Sequence, residues 1–322
     1  MKKRPMDNSS AILAREITRS SSKQSYYITR LLVDDDLQED CYRAYAYFRW
    51  VDDCVDDLDL SLGKRISFIK RQIALVERFY KAEQTGNLLP HEEIIRDLIA
   101  NDRGENSGLK SYIDNFMAVL EFDAHRKDRT INQDELDWYT HTLAVAITDA
   151  IQYFIHNGHP YPESEFRYLA ANAAHITHML RDMRADMDEG YINIPREYLD
   201  SQATNSQDVS SEPFRSWVRY RVKLARAFLR CGKYYLDGLD VINCKIAGYW
   251  YCARFEPVLD RIERDDYLLR PVYSERRKPA VWLRMGWMTA IITFKHVIEK
   301  ILTSRIINEP DLQHVEYVRS TD

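Results

Sequence analysis

The stretch His175–Pro195, HITHMLRDMRADMDEGYINIP, sets ionisable side chains at helical spacing and then stops the helix with a glycine and a proline. Asp182 and Asp186 are one helical turn apart, so an α-helix stacks their carboxylates on one face. His175 and His178 extend the same row toward the N-terminus. Such a row can hold a cation, whereas a D-x-x-x-D pair on its own is more often a solvated acidic face.

A second acidic row lies in Tyr45–Asp57, YAYFRWVDDCVDD. Asp52 and Asp56 share a helix face, and with the aspartates next to them they put four carboxylates in six residues. These charges repel one another unless divalent cations neutralise them, and carboxylate oxygens suit Mg²⁺. Because Arg49 and an apolar face flank the row, we interpret it as part of a cleft. The three aspartates at 34–36 fit an exposed helix end instead.

Composition excludes several classes of protein. The 322 residues carry 45 Lys and Arg against 50 Asp and Glu, and no basic stripe with interleaved aromatics, so we expect no nucleic-acid partner. Five cysteines without a C-x-x-C pair suggest neither a disulfide framework nor a structural zinc site. The first ten residues lack the apolar core of a signal peptide, and no run of about 18 apolar residues occurs. We expect a cytoplasmic protein, with transient peripheral membrane contact left open.

Apolar residues recur every three or four positions through most of the chain, and strand-type alternation is absent. The pattern predicts helices at 37–57, 64–81, 92–102, 109–126, 134–156, 163–188, 213–239, 243–266 and 279–302. No loop is long enough to divide the chain, and no internal repeat occurs. We predict one all-α domain over residues 23–305, preceded by a polar, flexible segment (1–22) and followed by a polar tail (306–322).

Two acidic helices that face each other, each with an arginine beside its row, would form a trap for a metal-bound diphosphate. Mg²⁺ would bridge the carboxylates to the leaving group, Arg49 and Arg181 would bind the remaining oxygens, and departure of diphosphate would leave an allylic carbocation. Such a cation needs a dry pocket lined by aromatic side chains. The sequence is rich in tyrosine and tryptophan, although core packing accounts for most of them.

At these residues the sequence resembles the squalene/phytoene synthase family, the head-to-head branch of the isoprenoid synthases, over residues 22–280. AYAYFRWVDDCVDD is similar to the family's first aspartate-rich helix, A-F-C-R-R-x-D-D-x-x-D. HITHMLRDMRADMDEGYINIP is similar to the second, Q-L-T-N-I-L-R-D-x-x-E-D-x-x-x-G-R-x-Y-L-P. SKQSYY (22–27) resembles the family's S-K-S-F-Y, and FDAHRKDRTINQDELDWYTHTLAVA (122–146) resembles the segment between the two rows. The resemblance implies a helical bundle around a central cavity.

Carried over position by position, the resemblance implies roles for both rows. The implied metal ligands are Asp52, Asp53, Asp56, Asp182 and Asp186, with Mg²⁺ as the ion and Mn²⁺ as an alternative. Substrate contacts are implied for Arg49, Arg181, Ser25, Tyr26 and, in the S-R-R-R-K-L-like segment SERRKPA, for Arg276, Arg277 and Lys278. A solvated basic turn explains the last three residues equally well. Tyr45 and Tyr139 match family tyrosines near the reacting diphosphate and cation.

Several positions depart from the family pattern, and they bear on the product. His175 and His178 replace a glutamine and an asparagine. A neutral imidazole can ligate a metal, including a softer ion such as Mn²⁺ or Fe²⁺, can accept a proton from a carbocation, or can make only the hydrogen bond that the amide made. Bulky Val145, Ile147 and Thr148 replace a small G-T-V-G turn and suggest a reshaped pocket. The family's G-R-x-Y-L-P reads GYINIP here.

The resemblance implies an enzyme that uses Mg²⁺ to ionise allylic prenyl diphosphates and joins two C15 or C20 units head-to-head to a squalene-like or phytoene-like hydrocarbon. One alternative keeps the ionisation but cyclises the cation or passes it to another acceptor. Another is a non-catalytic binding or assembly protein, against which the retention of both rows argues. No G-x-G-x-x-G fingerprint occurs, but an all-α fold would not carry one, so the sequence leaves NADPH use and the oligomeric state open.

Overall fold

Twelve helices and two strands of two residues each make up the part of the chain that the computed structural model describes, residues 9–57, 60–102, 104, 107–156, 159–202, 208–275 and 279–307. The helices are α1 (Ser9–Ser21), α2 (Lys23–Leu32), α3 (Gln38–Asp56), α4 (Leu62–Tyr80), α5 (Pro90–Ala100), α6 (Gly108–Arg126), α7 (Gln133–Phe154), α8 (Leu169–Asp188), α9 (Arg196–Ser201), α10 (Glu212–Asp237), α11 (Ile242–Arg264) and α12 (Pro279–Ile307). The strands are β1 (Arg129–Thr130) and β2 (Tyr191–Ile192). The all-α prediction is confirmed.

Helix α8, which carries the second acidic row, packs against α7, α10 and α11. Its first half is rich in alanine, and small side chains allow neighbouring backbones to approach closely. The approach is closest at α10, where a Cβ added to Gly232 would lie 2.3 Å from the backbone nitrogen of Ala170 and 2.7 Å from its Cα. The centre of the bundle therefore depends on a glycine opposite an alanine.

The chain leaves α8 through a glycine turn. The segment that follows then pairs with the segment after α6. Gly190 has a φ of +91°, a conformation that favours glycine, and a Cβ there would meet the Asp128 side chain at 2.2 Å. The two short strands pair in parallel, with Arg129 opposite Tyr191 and Thr130 opposite Ile192. This pairing fixes the backbone that follows the second acidic row.

The structure differs from the sequence-based boundaries in four places. Residues 9–21 of the N-terminal segment predicted to be flexible form α1, which buries Ala14 and Thr18, and Ser10 accepts a hydrogen bond from buried Arg43 on α3 at 3.2 Å. Helix α8 begins at Leu169 rather than 163, after a turn in which the Ser164 hydroxyl accepts from the Phe166 N–H. Helices α2 and α9 have no counterpart among the predicted helices; α9, with six residues, is too short to show a clear apolar period. In agreement with the sequence, none of the described helices is long and apolar enough to cross a bilayer.

Replacing Gly232 with alanine should destabilise the protein by about 1–3 kcal/mol, because the new methyl group overpacks the contact between α10 and α8. Urea unfolding followed by circular dichroism measures the change. Gly63→Ala on α4 is the matched control: a Cβ there meets nothing within 4 Å, and its effect should stay below about 1 kcal/mol. Equal effects of the two substitutions would show that the close approach at Gly232 does not matter.

Candidate active site

A polar cavity of about 300 Å³ brings the two acidic rows to opposite walls. Helix α3 contributes one wall and α8 the other, while α6, α7 and the segment after α8 close the remaining sides. Of the residues singled out from the sequence, those that line this polar cavity are Arg49, Asp52, Asp56, Tyr139, His175, His178, Asp182 and Asp186. The side chains that helical spacing groups on α3 and on α8 therefore line one site.

Burial and crowding make two of these aspartates difficult to ionise. Burial, followed by the charge of Asp56, raises the pKa of Asp52 to about 7. In the other row, burial and then the charge of Asp182 raise the pKa of Asp186 to about 8. Each row thus holds a carboxylate whose negative charge its own surroundings do not balance, which is the condition under which a bound cation stabilises a site.

Asp182 differs because it has two hydrogen-bond donors of its own. Arg181 donates from Nε to Oδ1 at 2.6 Å, and Nε2 of His178 lies 2.9 Å from Oδ2. Burial alone would raise the pKa of Asp182, but these neighbours outweigh burial and hold the pKa well below its usual range. Arg181 itself is buried beside the row and does not line the polar cavity.

The segment that follows α8 connects the two rows through hydrogen bonds. The hydroxyl of Tyr191 donates to Oδ1 of Asp56 at 3.1 Å, and the side-chain amide of Asn193 donates to Oδ2 of Asp186 at 3.1 Å. Tyr191 belongs to β2, whose pairing with β1 fixes its backbone. Tyr191 in β2 and Asn193 just after it thereby link a carboxylate of α3 to a carboxylate of α8.

Arg126, at the C-terminal end of α6, is the buried cation of this network. It donates from Nε to Asp123 at 2.5 Å and from Nη1 to Oδ1 of Asn193 at 2.9 Å. Its guanidinium lies 4.8 Å from the ring centroid of Tyr139 and 5.0 Å from that of Tyr191. Tyr139 in turn donates its hydroxyl to Asp123 at 3.0 Å. These contacts tie α6, α7 and β2 into one polar wall.

Sequence reasoning misses four residues of this wall, Asp123, Arg126, Tyr191 and Asn193. The first two carry a usable signal, since they stand three residues apart on α6 and so share a helix face. Asp123 also contributes to the raised pKa of Asp52, Asp56 and Asp186, although burial is the main cause in each. No spacing rule singles out the two residues after α8, because their role depends on the glycine turn and the strand pair.

An apolar cavity of about 190 Å³ adjoins the polar one. Its walls include Ser25, Ala44, Tyr45, Tyr112, Ile147, Ile151 and Tyr251. Along α3, Tyr45 lines the apolar cavity and Arg49, one turn later, lines the polar cavity. Along α7 the order is reversed, because Leu143 lines the polar cavity and Ile147 the apolar one. Consecutive turns of the same two helices thus form a polar site and an apolar site side by side.

The remaining sequence-predicted residues lie elsewhere. Asp53 does not line the polar cavity. One residue after Asp52, it points about 100° away and pairs with Arg49 at the surface, and its role as a metal ligand stays a prediction. Tyr26 lines neither cavity, and its ring stacks on Tyr42 with centroids 5.6 Å apart. The basic segment predicted to contact substrate (Arg276, Arg277 and Lys278) lies outside the described residues.

The donor set fits a hard divalent cation that shares its ligands with a substrate. Among the described residues, no three His, Cys, Asp or Glu side chains lie close enough together to hold a metal ion by themselves. Mg²⁺ usually takes one or two carboxylates and completes its shell with water and phosphate oxygens, so two facing rows meet its needs once a diphosphate lies between them. Asp52, Asp56, Asp182 and Asp186 are the residues that would hold it.

An all-α bundle with two facing aspartate rows beside an apolar cavity defines the class of isoprenoid synthases, and solved structures agree. A squalene synthase from Alicyclobacillus acidocaldarius matches with a TM-score of 0.63 and 18% identity, covering 81% of this chain and 95% of that one. A dehydrosqualene synthase in complex with a ligand matches with a TM-score of 0.64 and 14% identity, covering 89% of this chain and 96% of that one. These likenesses establish the fold.

The family follows from the sequence itself. The family model described as squalene/phytoene synthase matches residues 18–283, most of the chain, and the chain therefore belongs to that family. It is accordingly a prenyltransferase-type enzyme. No curated protein sequence matches this chain.

Replacing Arg126 with methionine should cost about 3–5 kcal/mol of stability, because it leaves Asp123 buried without its cation. Urea unfolding at neutral pH measures the loss. Arg129→Met, which removes a more exposed partner of Glu135 nearby, should cost no more than about 1 kcal/mol. If the two variants lose the same stability, Arg126 is not the central support of the polar wall.

Proposed function

We propose that this enzyme ionises an allylic prenyl diphosphate of C15 or C20 length and joins two such units head-to-head to a squalene-like or phytoene-like hydrocarbon. The observation that supports this proposal is the pair of cavities along α3 and α7, one polar and acidic, the other apolar. A prenyl diphosphate has the same two-part character, with a charged head and a hydrocarbon tail. The head fits the polar cavity and the tail fits the apolar one.

The four cavity aspartates would hold Mg²⁺, or Mn²⁺ as the alternative. A divalent cation bound there would stabilise the charge that develops on diphosphate as its bond to carbon breaks. Arg49 lines the polar cavity. Among the described residues its guanidinium hydrogen-bonds Asp52 and exposed Asp53, and it can exchange the exposed carboxylate for a phosphate oxygen. Tyr45 contributes an aromatic wall between the two cavities, where an allylic cation benefits from ring faces.

His175 is the cavity residue best placed to decide the fate of the cation. It is 8% exposed, and its ring hydrogen-bonds the backbone carbonyl of Leu143. Nε2 is buried and has no hydrogen-bond partner among the described residues, so the bond to Leu143 uses Nδ1 and leaves the Nε2 lone pair available. Burial, helped by the nearby His178, lowers the pKa of His175 to about 3, so the ring is neutral at pH 7.

In this proposal Nε2 of His175 takes the proton that ends the reaction. The C–H bond next to the cationic carbon gives its electron pair to a new C=C bond, and its proton passes to the Nε2 lone pair. A carbocation is so strong an acid that even a buried, weakly basic imidazole accepts this proton. The observation favours a product formed by proton loss, either the phytoene-like product of head-to-head joining or a product of the alternative, cyclisation. A squalene-like product would also need a hydride donor.

Asp52→Asn and Asp182→Asn should each slow Mg²⁺-dependent release of diphosphate from farnesyl or geranylgeranyl diphosphate by roughly 100-fold. The reason is that each substitution removes a charge from one of the two rows that hold the cation. A coupled diphosphate assay measures release, and Asp35→Asn, on an exposed turn before α3, is the control that should keep wild-type activity. Recovery of only cyclic products or adducts from the wild-type enzyme would contradict head-to-head joining.

His175→Asn retains a donor for Leu143 and removes the Nε2 lone pair. Diphosphate release should then stay near the wild-type rate, while hydrocarbon formed per diphosphate released falls at least about tenfold and prenyl alcohol from water capture rises. Gas chromatography of the products measures the ratio, and His141→Gln, an exposed histidine on α7, is the control. An unchanged ratio would remove His175 from this role while leaving the ionisation intact.

A further inference from the structure

The face of α11 that meets the apolar cavity continues into an arginine. Ala247 and Tyr251, four residues apart, line the apolar cavity, and Arg254 lies on the same helix face one turn later. The order matches that on α3, where Tyr45 lines the apolar cavity and Arg49, one turn later, lines the polar cavity. On both helices an arginine thus follows a tyrosine of the apolar cavity by one turn.

Arg254 lines neither cavity, but it lies close to groups of both. The ring of Phe255, the next residue, has its centroid 5.3 Å from that of Tyr251 and 6.3 Å from that of His178, which lines the polar cavity. Burial lowers the pKa of His178, and the charge of Arg254 adds to this effect. Burial raises the pKa of Tyr45, and the charge of Arg254 opposes that rise. Arg254 is therefore beside the junction of the polar and apolar cavities.

Arg254 differs from the other arginines around the site because no carboxylate bonds to it. Arg49, Arg126 and Arg181 each hydrogen-bond an aspartate. Arg254 hydrogen-bonds no described residue, and its Nε is buried without a partner in that part of the chain. Its guanidinium carbon lies 5.7 Å from the ring centroid of Phe255. A largely buried cation without a bonded anion is costly, and a bound anion would relieve that cost.

The carboxylate of Asp182 does not neutralise Arg254. Oδ1 of Asp182 accepts from Arg181 at 2.6 Å, and Oδ2 lies 2.9 Å from Nε2 of His178. Burial is the main cause that lowers the pKa of Arg254, the charge of Arg181 acts in the same direction, and the charge of Asp182 opposes both only in part. The described residues thus leave a cation at the junction without its anion.

We propose that Arg254 binds phosphate oxygens of the prenyl diphosphate directly, from the α11 side of the junction; the identity of this ligand rests on the proposed function. A guanidinium matches phosphate with parallel N–H donors. No bond to a described residue has to break before Arg254 turns toward such a ligand. The bound diphosphate would also offset the charge of Arg254, which would otherwise repel an allylic cation formed nearby. Arg49 and Arg254 would then contact the diphosphate from two different helices.

The test is calorimetric titration of the full-length protein, with Mg²⁺ present, using farnesyl thiodiphosphate and inorganic diphosphate in separate runs. Arg254→Gln should raise both dissociation constants at least about tenfold, because charge-assisted hydrogen bonds to phosphate are lost. Arg254→Lys keeps the charge but not the planar fork, so its effect should be smaller. The control is Arg230→Gln, which replaces an exposed arginine on α10 and should leave both constants unchanged.

Urea unfolding without ligand supplies a second measurement that separates binding from support of the fold. Arg254→Gln removes a cation that no described anion balances, so the urea midpoint should stay the same or rise while the affinity for diphosphate falls. An arginine that only supports the fold would give the opposite result, a lower midpoint.

Two results would overturn this proposal. One is a dissociation constant for farnesyl thiodiphosphate that Arg254→Gln leaves unchanged. The other is a urea midpoint that falls together with the affinity, which would assign Arg254 to the fold. If the wild type binds inorganic diphosphate but not the prenyl analogue, the proposed function fails, and the comparison with inorganic diphosphate still measures the contact of Arg254.

Discussion

The site depends on the contacts that the buried guanidinium of Arg126 makes. Asp123 and both aspartate rows put negative charge into a space with few cations, and these charges would otherwise drive the helices apart. The positive charge of Arg126 offsets that repulsion. Its guanidinium contacts Asp123 on α6, Asn193 after α8 and the rings of Tyr139 and Tyr191. A planar cation with several donors suits this position because it can satisfy an amide, a carboxylate and two aromatic faces at once.

The carboxylates of the polar cavity are crowded and costly to keep charged. The same crowding suits the cavity for binding a charged ligand. The raised pKa values of Asp52 and Asp186 mean that the folded protein holds carboxylates at a cost, and a bound cation would relieve that cost. The apolar cavity has the opposite character and is set by consecutive turns of α3 and α7. Sites that trade stability for binding in this way are common among enzymes. A charged head and an apolar tail would thus find separate surroundings on consecutive turns of the same two helices.

The sequence predicts which residues share a face of one helix. It does not predict contacts between residues that are far apart in the chain. The two aspartate rows are predictable because helical period alone places Asp182 with Asp186 and Asp52 with Asp56. The links between the rows are not, because Tyr191 and Asn193 reach their partners only after the glycine turn and the strand pair have formed. The apolar pattern of the sequence does not predict α1, because the buried face of this helix consists of small residues, which give a weak apolar signal. Asp53 lies outside the polar cavity because residues adjacent in sequence point about 100° apart on a helix.

The central claim is that the two rows act as one cation-dependent site for a prenyl diphosphate. Calorimetric titration with a thiodiphosphate analogue that cannot ionise tests this claim directly, with and without Mg²⁺. We expect binding that requires Mg²⁺ and is lost in both Asp56→Asn and Asp186→Asn, since these residues lie on opposite walls of the polar cavity. Equal binding without Mg²⁺, or binding that survives the loss of an aspartate from either row, would contradict it.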